Sequence, residues 1–304
     1  MKIFPIAYMA ALSACVCPSF AQELWAPKGT PAQYKAPHQP ITKIGDLKAS
    51  HAGQKSWRQT IVDDEHLRSD YVWSSPGTKT PRALHPDTRA WWVVMEGQLR
   101  FDIEGQQPFT ASKGSMVQVP MATLFSFETV GSEPALYFET NIAGAKTLYS
   151  SQVDTPKIPG LNFMPVRFTR TKGEYDKSNK PHQTFDDVAR AIDEGRLKGT
   201  IRIVDDARGA ANFIYGYEKN LPPINPKDKG HYHPEGAEYW LIMKGQIRYP
   251  VETKGVIIAN EGDVVYVPKF TFHAPRWYGA TASCRLAMNG YPFISHLFEP
   301  APPK

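Results

Sequence analysis

Along the second half of the chain, short runs of β-branched and aromatic residues are broken by glycine, proline and lysine. FIYGYE (213–218), YWLIM (239–243), QIRYPVE (246–252), GVIIA (255–259) and DVVYVP (263–268) are too short for helices and too rich in Val, Ile, Tyr and Trp for loops. This rhythm predicts an antiparallel all-β barrel or sandwich. One segment breaks it. TFDDVARAIDEGRLKG (184–199) begins with a capping threonine and ends on glycine, with Val188, Ala191 and Ile192 on one face, and predicts a connecting helix packed on the outside. Residues 26–40 have no period and many prolines, and read as an arm over the surface.

The rhythm occurs twice. Aligning His85 with His233 sets an offset of 148 that holds without a gap through Gly97/Gly245, Gly114/Gly262, Pro120/Pro268 and Phe125/His273. Trp92/Trp240, Gln98/Gln246 and Arg100/Arg248 also match. Upstream, Ile61-Val62-Asp63-Asp64 answers Ile203-Val204-Asp205-Asp206 at 142, so six extra residues lie before His231 in the second copy, where NLPPINPKDKG (220–230) is richest in loop formers. We expect a leader at 1–21, an N-terminal barrel at 22–150, a linker carrying the helix at 151–200, and a C-terminal barrel at 201–304. The extra loop is expected to border the mouth of the second barrel.

Chemistry is concentrated in the second copy. In a strand, residues two apart share a face, so His231 and His233 present two imidazoles to one side. Glu238 opens the next run across a Pro-Glu-Gly turn, and His273 follows the DVVYVP strand by five residues. Three imidazoles and one carboxylate suit one divalent transition metal ion, Fe, Mn, Ni, Cu or Zn, and are too rich in nitrogen for calcium. The first copy has Ala83, Ala90 and Phe125 in place of His231, Glu238 and His273, and keeps only His85. It is expected to be metal-free scaffold, with Trp91, Trp92, Phe125 and Phe127 as core filling rather than a ligand pocket.

The two spacings, His231-x-His233-x4-Glu238-x6-Gly245 and Gly262-x5-Pro268-x4-His273, resemble the paired motifs of the cupin superfamily. The resemblance implies tandem double-stranded β-helix (jelly-roll) barrels, with His231, His233, Glu238 and His273 as metal ligands. Asn225, Phe270 and Trp277 depart from the motif residues at loop and wall positions, outside the ligand set. Among cupins, a three-histidine, one-glutamate site of the quercetin dioxygenase type implies an oxygenase acting on a small aromatic or enolic acid, with Glu238 as ligand and proton acceptor. A decarboxylase of the oxalate type, a lyase using Tyr217 or Tyr239 as base, and a non-catalytic binding or sensing protein are the alternatives. Tyr215, Tyr217, Trp240, Arg276 and Trp277 are the expected substrate-lining residues.

The N-terminus, MKIFPIAYMAALSACVCPSFAQ, is an apolar run too short to anchor in a membrane and reads as an export signal, giving a periplasmic or secreted protein. Cleavage after Ala21 competes with lipidation at Cys15. Cleavage after Ala21 removes Cys15 and Cys17 and leaves Cys284 alone, which reads as a small buried hydrophobe. The 35 basic and 30 acidic residues are dispersed, and no basic tract with interleaved aromatics points to nucleic acid. No transmembrane segment is expected. The first barrel is expected to supply the neighbour that a one-domain relative gains by dimerising, and a homodimer of the whole chain is left open.

Overall fold

The structure is a computed structural model that describes residues 23–290 and 294–300; the leader, with Cys15, Cys17 and both processing sites, lies outside them. Two antiparallel barrels are joined back to back. In the first, a six-stranded sheet runs His182–Thr184, Ser115–Val119, Ala90–Glu96, Ala135–Ile142, Leu67–Ser74 and Trp57–Asp63 in spatial order. Its counterpart in the second runs Ile41–Thr42, Val264–Val267, Glu238–Lys244, Ser283–Asn289, Gly209–Gly216 and Thr200–Asp206.

Strand composition follows from which faces are covered. Gln98–Ile103 alternates, with Leu99, Phe101 and Ile103 buried and Gln98, Arg100 and Asp102 outside, because only one face meets a core. Ala90–Glu96 and Glu238–Lys244 are apolar almost throughout because both faces are covered. Trp240 and Ile242 fill the C-terminal barrel, whereas Tyr239, Leu241 and Met243 join a core between the two barrels. Tyr71, Trp91 and Phe138 meet Phe213, Leu241 and Leu286 in that shared core. The hydroxyl of Tyr71 donates across it to the Gly262 carbonyl at 2.6 Å, and Cys284 lies within it, its thiol pushed well up by burial. Trp92, Phe125 and Phe127 pack with Phe101 and Tyr137 inside the first barrel, and Trp91 belongs to the shared core.

The repeat is structural. Gly97 and Gly245 turn with φ of 68° and 67°, and a Cβ at either would meet the carbonyl oxygen of Pro134 or Ala282 at 2.5 or 2.6 Å. Each copy also lends a strand to the other. Ile41–Thr42 pairs with Val264 and Val265 of the second barrel, while His182–Thr184 pairs with Ser115, Met116 and Val117 of the first. A helix follows each: α1 (Ile44–Ser50), which the sequence pattern did not predict, and α2 (Phe185–Asp193), where the Thr184 hydroxyl accepts from the Asp187 amide. The exchange of strands is not visible in boundaries drawn on the sequence alone. Among the described residues, no helix is long and apolar enough to cross a membrane.

Candidate metal centre

His231 and His273 form a backbone bridge, each amide donating to the other's carbonyl at 3.1 and 2.9 Å, which brings the two cupped loops of the C-terminal barrel together. Gly230 makes this approach possible: its φ is +75°, and a side chain there would overlap the His273 carbonyl. Glu238 enters from its strand on the same interior face as Trp240. As a result, one ligand atom each from His231, His233, Glu238 and His273 lies within 4.8 Å of every other.

Two of the three rings are fixed from behind. Nδ1 of His233 meets the Ser295 carbonyl at 2.7 Å, and Nδ1 of His273 meets the Thr271 carbonyl at 2.9 Å. Carbonyls only accept, so both Nδ1 atoms carry protons and both Nε2 atoms face Glu238 Oε2, at 2.9 and 3.3 Å. Two lone pairs aimed at one carboxylate repel it unless a cation, a proton or a metal ion, lies between them. Nε2 of His231 is buried without a hydrogen-bond partner among the described residues, so no protein group competes for it. These residues fit a divalent metal with mixed nitrogen and oxygen ligands.

Electrostatics agree with that geometry. Burial pushes the His231 imidazole down to about 2, and neighbouring His273 adds to the effect, so this ring stays neutral and ready to ligate. Burial would raise the Glu238 carboxyl, but a proton on Nε2 of His233 or His273, in the place a metal ion would take, hydrogen-bonds it and holds the group ionised, well below the usual carboxylate range. For His233, burial acts downward and the Glu238 hydrogen bond and charge win, moving it upward.

The first barrel preserves the frame without the ligands. His85 Nδ1 meets the Lys146 carbonyl at 2.9 Å, as His233 meets Ser295, and the Phe125 ring lies 5.6 Å from His85 where the second copy has His273. The repeat therefore continues into the C-terminal tail at an offset of 149. Leu148–Tyr149 pairs with Ala83–Leu84, and Leu297–Phe298 with His231–Tyr232. His296 was missed in the sequence. Its ring lies 4.6 and 4.7 Å from those of His231 and His233, and it replaces Thr147 of the first copy. Continuing the comparison past His273 with one extra residue would have found it.

Other expected site residues divide. The Trp240 ring is 5.2 Å from that of His273, and Trp277 packs on the barrel interior. Tyr215 and Tyr217 are placed elsewhere: in Gly209–Gly216 it is Ile214 that faces the barrel, so Phe213, Tyr215 and Tyr217 face the shared core, and both tyrosine hydroxyls bond Asp193 of α2. Tyr239 also turns outward, its hydroxyl 2.8 Å from Ser69 of the first barrel, so neither Tyr217 nor Tyr239 is placed to act as a base at the metal centre. Arg276 donates to the Pro222 carbonyl, tying down the extra loop rather than joining the cluster.

The cupin domain model matches residues 73–141 and 219–288, one region in each barrel. The chain is a two-domain cupin. Among solved structures, this bicupin resembles a variant of salicylate 1,2-dioxygenase from Pseudoaminobacter salicylatoxidans, with a TM-score of 0.62 at 13% identity over 90% of both chains. The adduct of that enzyme with gentisate matches at 0.60 and 13%, over 85% of this chain and 84% of that one. A variant of oxalate decarboxylase from B. subtilis matches at 0.50 and 15%, over 88% and 81%. At such identities the likeness is one of fold. No curated protein sequence matches the chain.

Proposed function

We propose that this bicupin is an exported metal-dependent enzyme of the dioxygenase type, acting on a small aromatic or enolic organic acid at the C-terminal site. This reading is supported by the convergence of one ring nitrogen from each of three histidines on one ionised carboxylate, with the His233 and His273 rings held by backbone carbonyls. His231, His233, Glu238 and His273 would hold one divalent transition metal. Such an ion, when bound, supplies Lewis acidity and open positions for small oxygen ligands. Glu238 Oε1 receives no hydrogen bond from any described residue, which leaves it free to accept the proton of an acidic substrate hydroxyl. Trp240 supplies a flat apolar wall beside His273.

The decarboxylase alternative asks for a carboxylate on the covering loop. Glu218 accepts from the Gly279 amide at 2.7 Å and Asp228 from the Gly230 amide at 2.8 Å, so both hold loop geometry. Export rests on the apolar leader at 1–21. Oxygen uptake by protein loaded in turn with Fe(II), Mn(II), Ni(II) and Cu(II), against a panel of catechols, hydroxybenzoates and enols, tests the activity. Sustained uptake with one of them supports the proposal; tight binding of panel members without turnover under every metal supports a binding protein instead.

A further inference from the structure

Deep in the C-terminal barrel lies a charge outside the metal centre, on Arg285. Arg285 is 7% exposed and, among the described residues, makes no ion pair and has Nε and Nη1 buried without a hydrogen-bond partner. Strand parity explains its position. In Ser283–Asn289, Cys284, Leu286 and Met288 enter the core between the barrels, so Arg285 and Ala287 point into the C-terminal barrel. Asn289, two residues on from Ala287, is paired with Glu238. Arg285 therefore lies below the metal centre on the same wall.

Two other donors there are also unpaired. The Tyr249 hydroxyl and the Trp277 indole nitrogen are buried without partners. The Tyr249 ring is 5.1 Å from Trp240, which in turn is 5.2 Å from His273, so this group borders the metal site through one indole. A guanidinium fork, a phenol and an indole N–H offer several donors against the one unpaired acceptor there, Asn289 Oδ1, and this is the complement of a carboxylate. Leaving a guanidinium buried and unpaired is costly, and the barrel does not need one for folding. At the offset of 148, the first barrel has Tyr137 for Arg285, Phe101 for Tyr249 and Thr129 for Trp277, and closes over an aromatic interior. The guanidinium and the indole N–H belong to the copy with the histidine cluster alone.

We propose that Arg285, with Tyr249 and Trp277, is an anion receptor inside the C-terminal barrel that takes the carboxylate of a small organic acid whose other end reaches the metal centre. This deepens the proposed function and rests on it for the reacting end. The carboxylate end is testable without turnover, in full-length protein loaded with redox-inert zinc. Calorimetric titration compares benzoate with neutral benzamide in wild type, Arg285→Met and Tyr249→Phe. Wild type should favour benzoate by about tenfold or more, as hydrogen bonds to charged groups imply. Arg285→Met should bring the two within twofold of each other while keeping one zinc per chain. Absence of preference in wild type, or its survival in Arg285→Met as simple binding to zinc, overturns the proposal. Should Arg285→Met fail to fold, Tyr249→Phe decides: benzoate weakened several-fold with benzamide unchanged supports the receptor, and unchanged benzoate affinity refutes it. Arg285-dependent benzoate binding in a protein that consumes no oxygen would sink the enzymatic reading and leave the receptor standing.

Discussion

Ending the chain at Gly290 removes the tail that holds His233 from behind. The lost interactions are the 2.7 Å hydrogen bond from His233 Nδ1 to the Ser295 carbonyl and the pairing of Leu297–Phe298 with His231–Tyr232. The four ligand residues stay in the chain. What is lost is the fixed tautomer and ring angle of one ligand and the backbone support of another. Removing partners of this kind weakens metal binding by about 10–100-fold. That factor corresponds to about 1.4–2.8 kcal/mol. The assay is competition for zinc against a chromophoric chelator, with the melting curve of metal-free protein as a control for folding. A truncated chain that folds and binds zinc within twofold of the full chain would refute the argument that the tail preorganises the site.

Gly230→Ala should disrupt the His231–His273 bridge, because the new Cβ overlaps the His273 carbonyl, and zinc affinity should fall by about tenfold or more in the same competition assay. Phe213→Ala, in the core between the barrels, should cost about 3–5 kcal/mol in urea unfolding. The transition should stay single; separate melting of the two halves would contradict a shared core. Tyr217→Phe should leave metal content and any turnover unchanged and cost about 1 kcal/mol or less of stability, since its hydroxyl bonds Asp193 away from the cluster. A raised KM in that variant would restore Tyr217 to the site. Mass spectrometry of protein from the exporting host should show a chain beginning at Gln22; an acylated Cys15 terminus would show the lipoprotein route instead.

The clustering of His231, His233, Glu238 and His273 and the barrel repeat were legible because each rests on residues with few substitutes. Gly97 and Gly245 are required by backbone contact, and imidazoles two apart on a strand share a face whatever surrounds them. The wall residues were not legible for the opposite reason. Gly209–Gly216 is apolar on both faces because both are covered, so its pattern does not say that Ile214 rather than Tyr215 looks into the barrel. Arg285 sits in SCRLAM, where one charge among apolar residues resembles an edge position and is in fact the buried one. The tail was hidden by a single inserted residue, which moved Ser295 and His296 out of the register that had revealed the rest. The exchanged strands Ile41–Thr42 and His182–Thr184 depend on contacts with the other half of the chain, which no local pattern records.

We propose that one barrel of the pair holds a metal ion and the other does not. Metal analysis of the purified full-length chain, wild type beside His231→Ala and His85→Ala, separates the two barrels. Wild type should hold one transition metal ion per chain tightly, His85→Ala should keep it, and His231→Ala should lose it. Two ions per chain, or an ion that survives His231→Ala and leaves with His85→Ala, would contradict it.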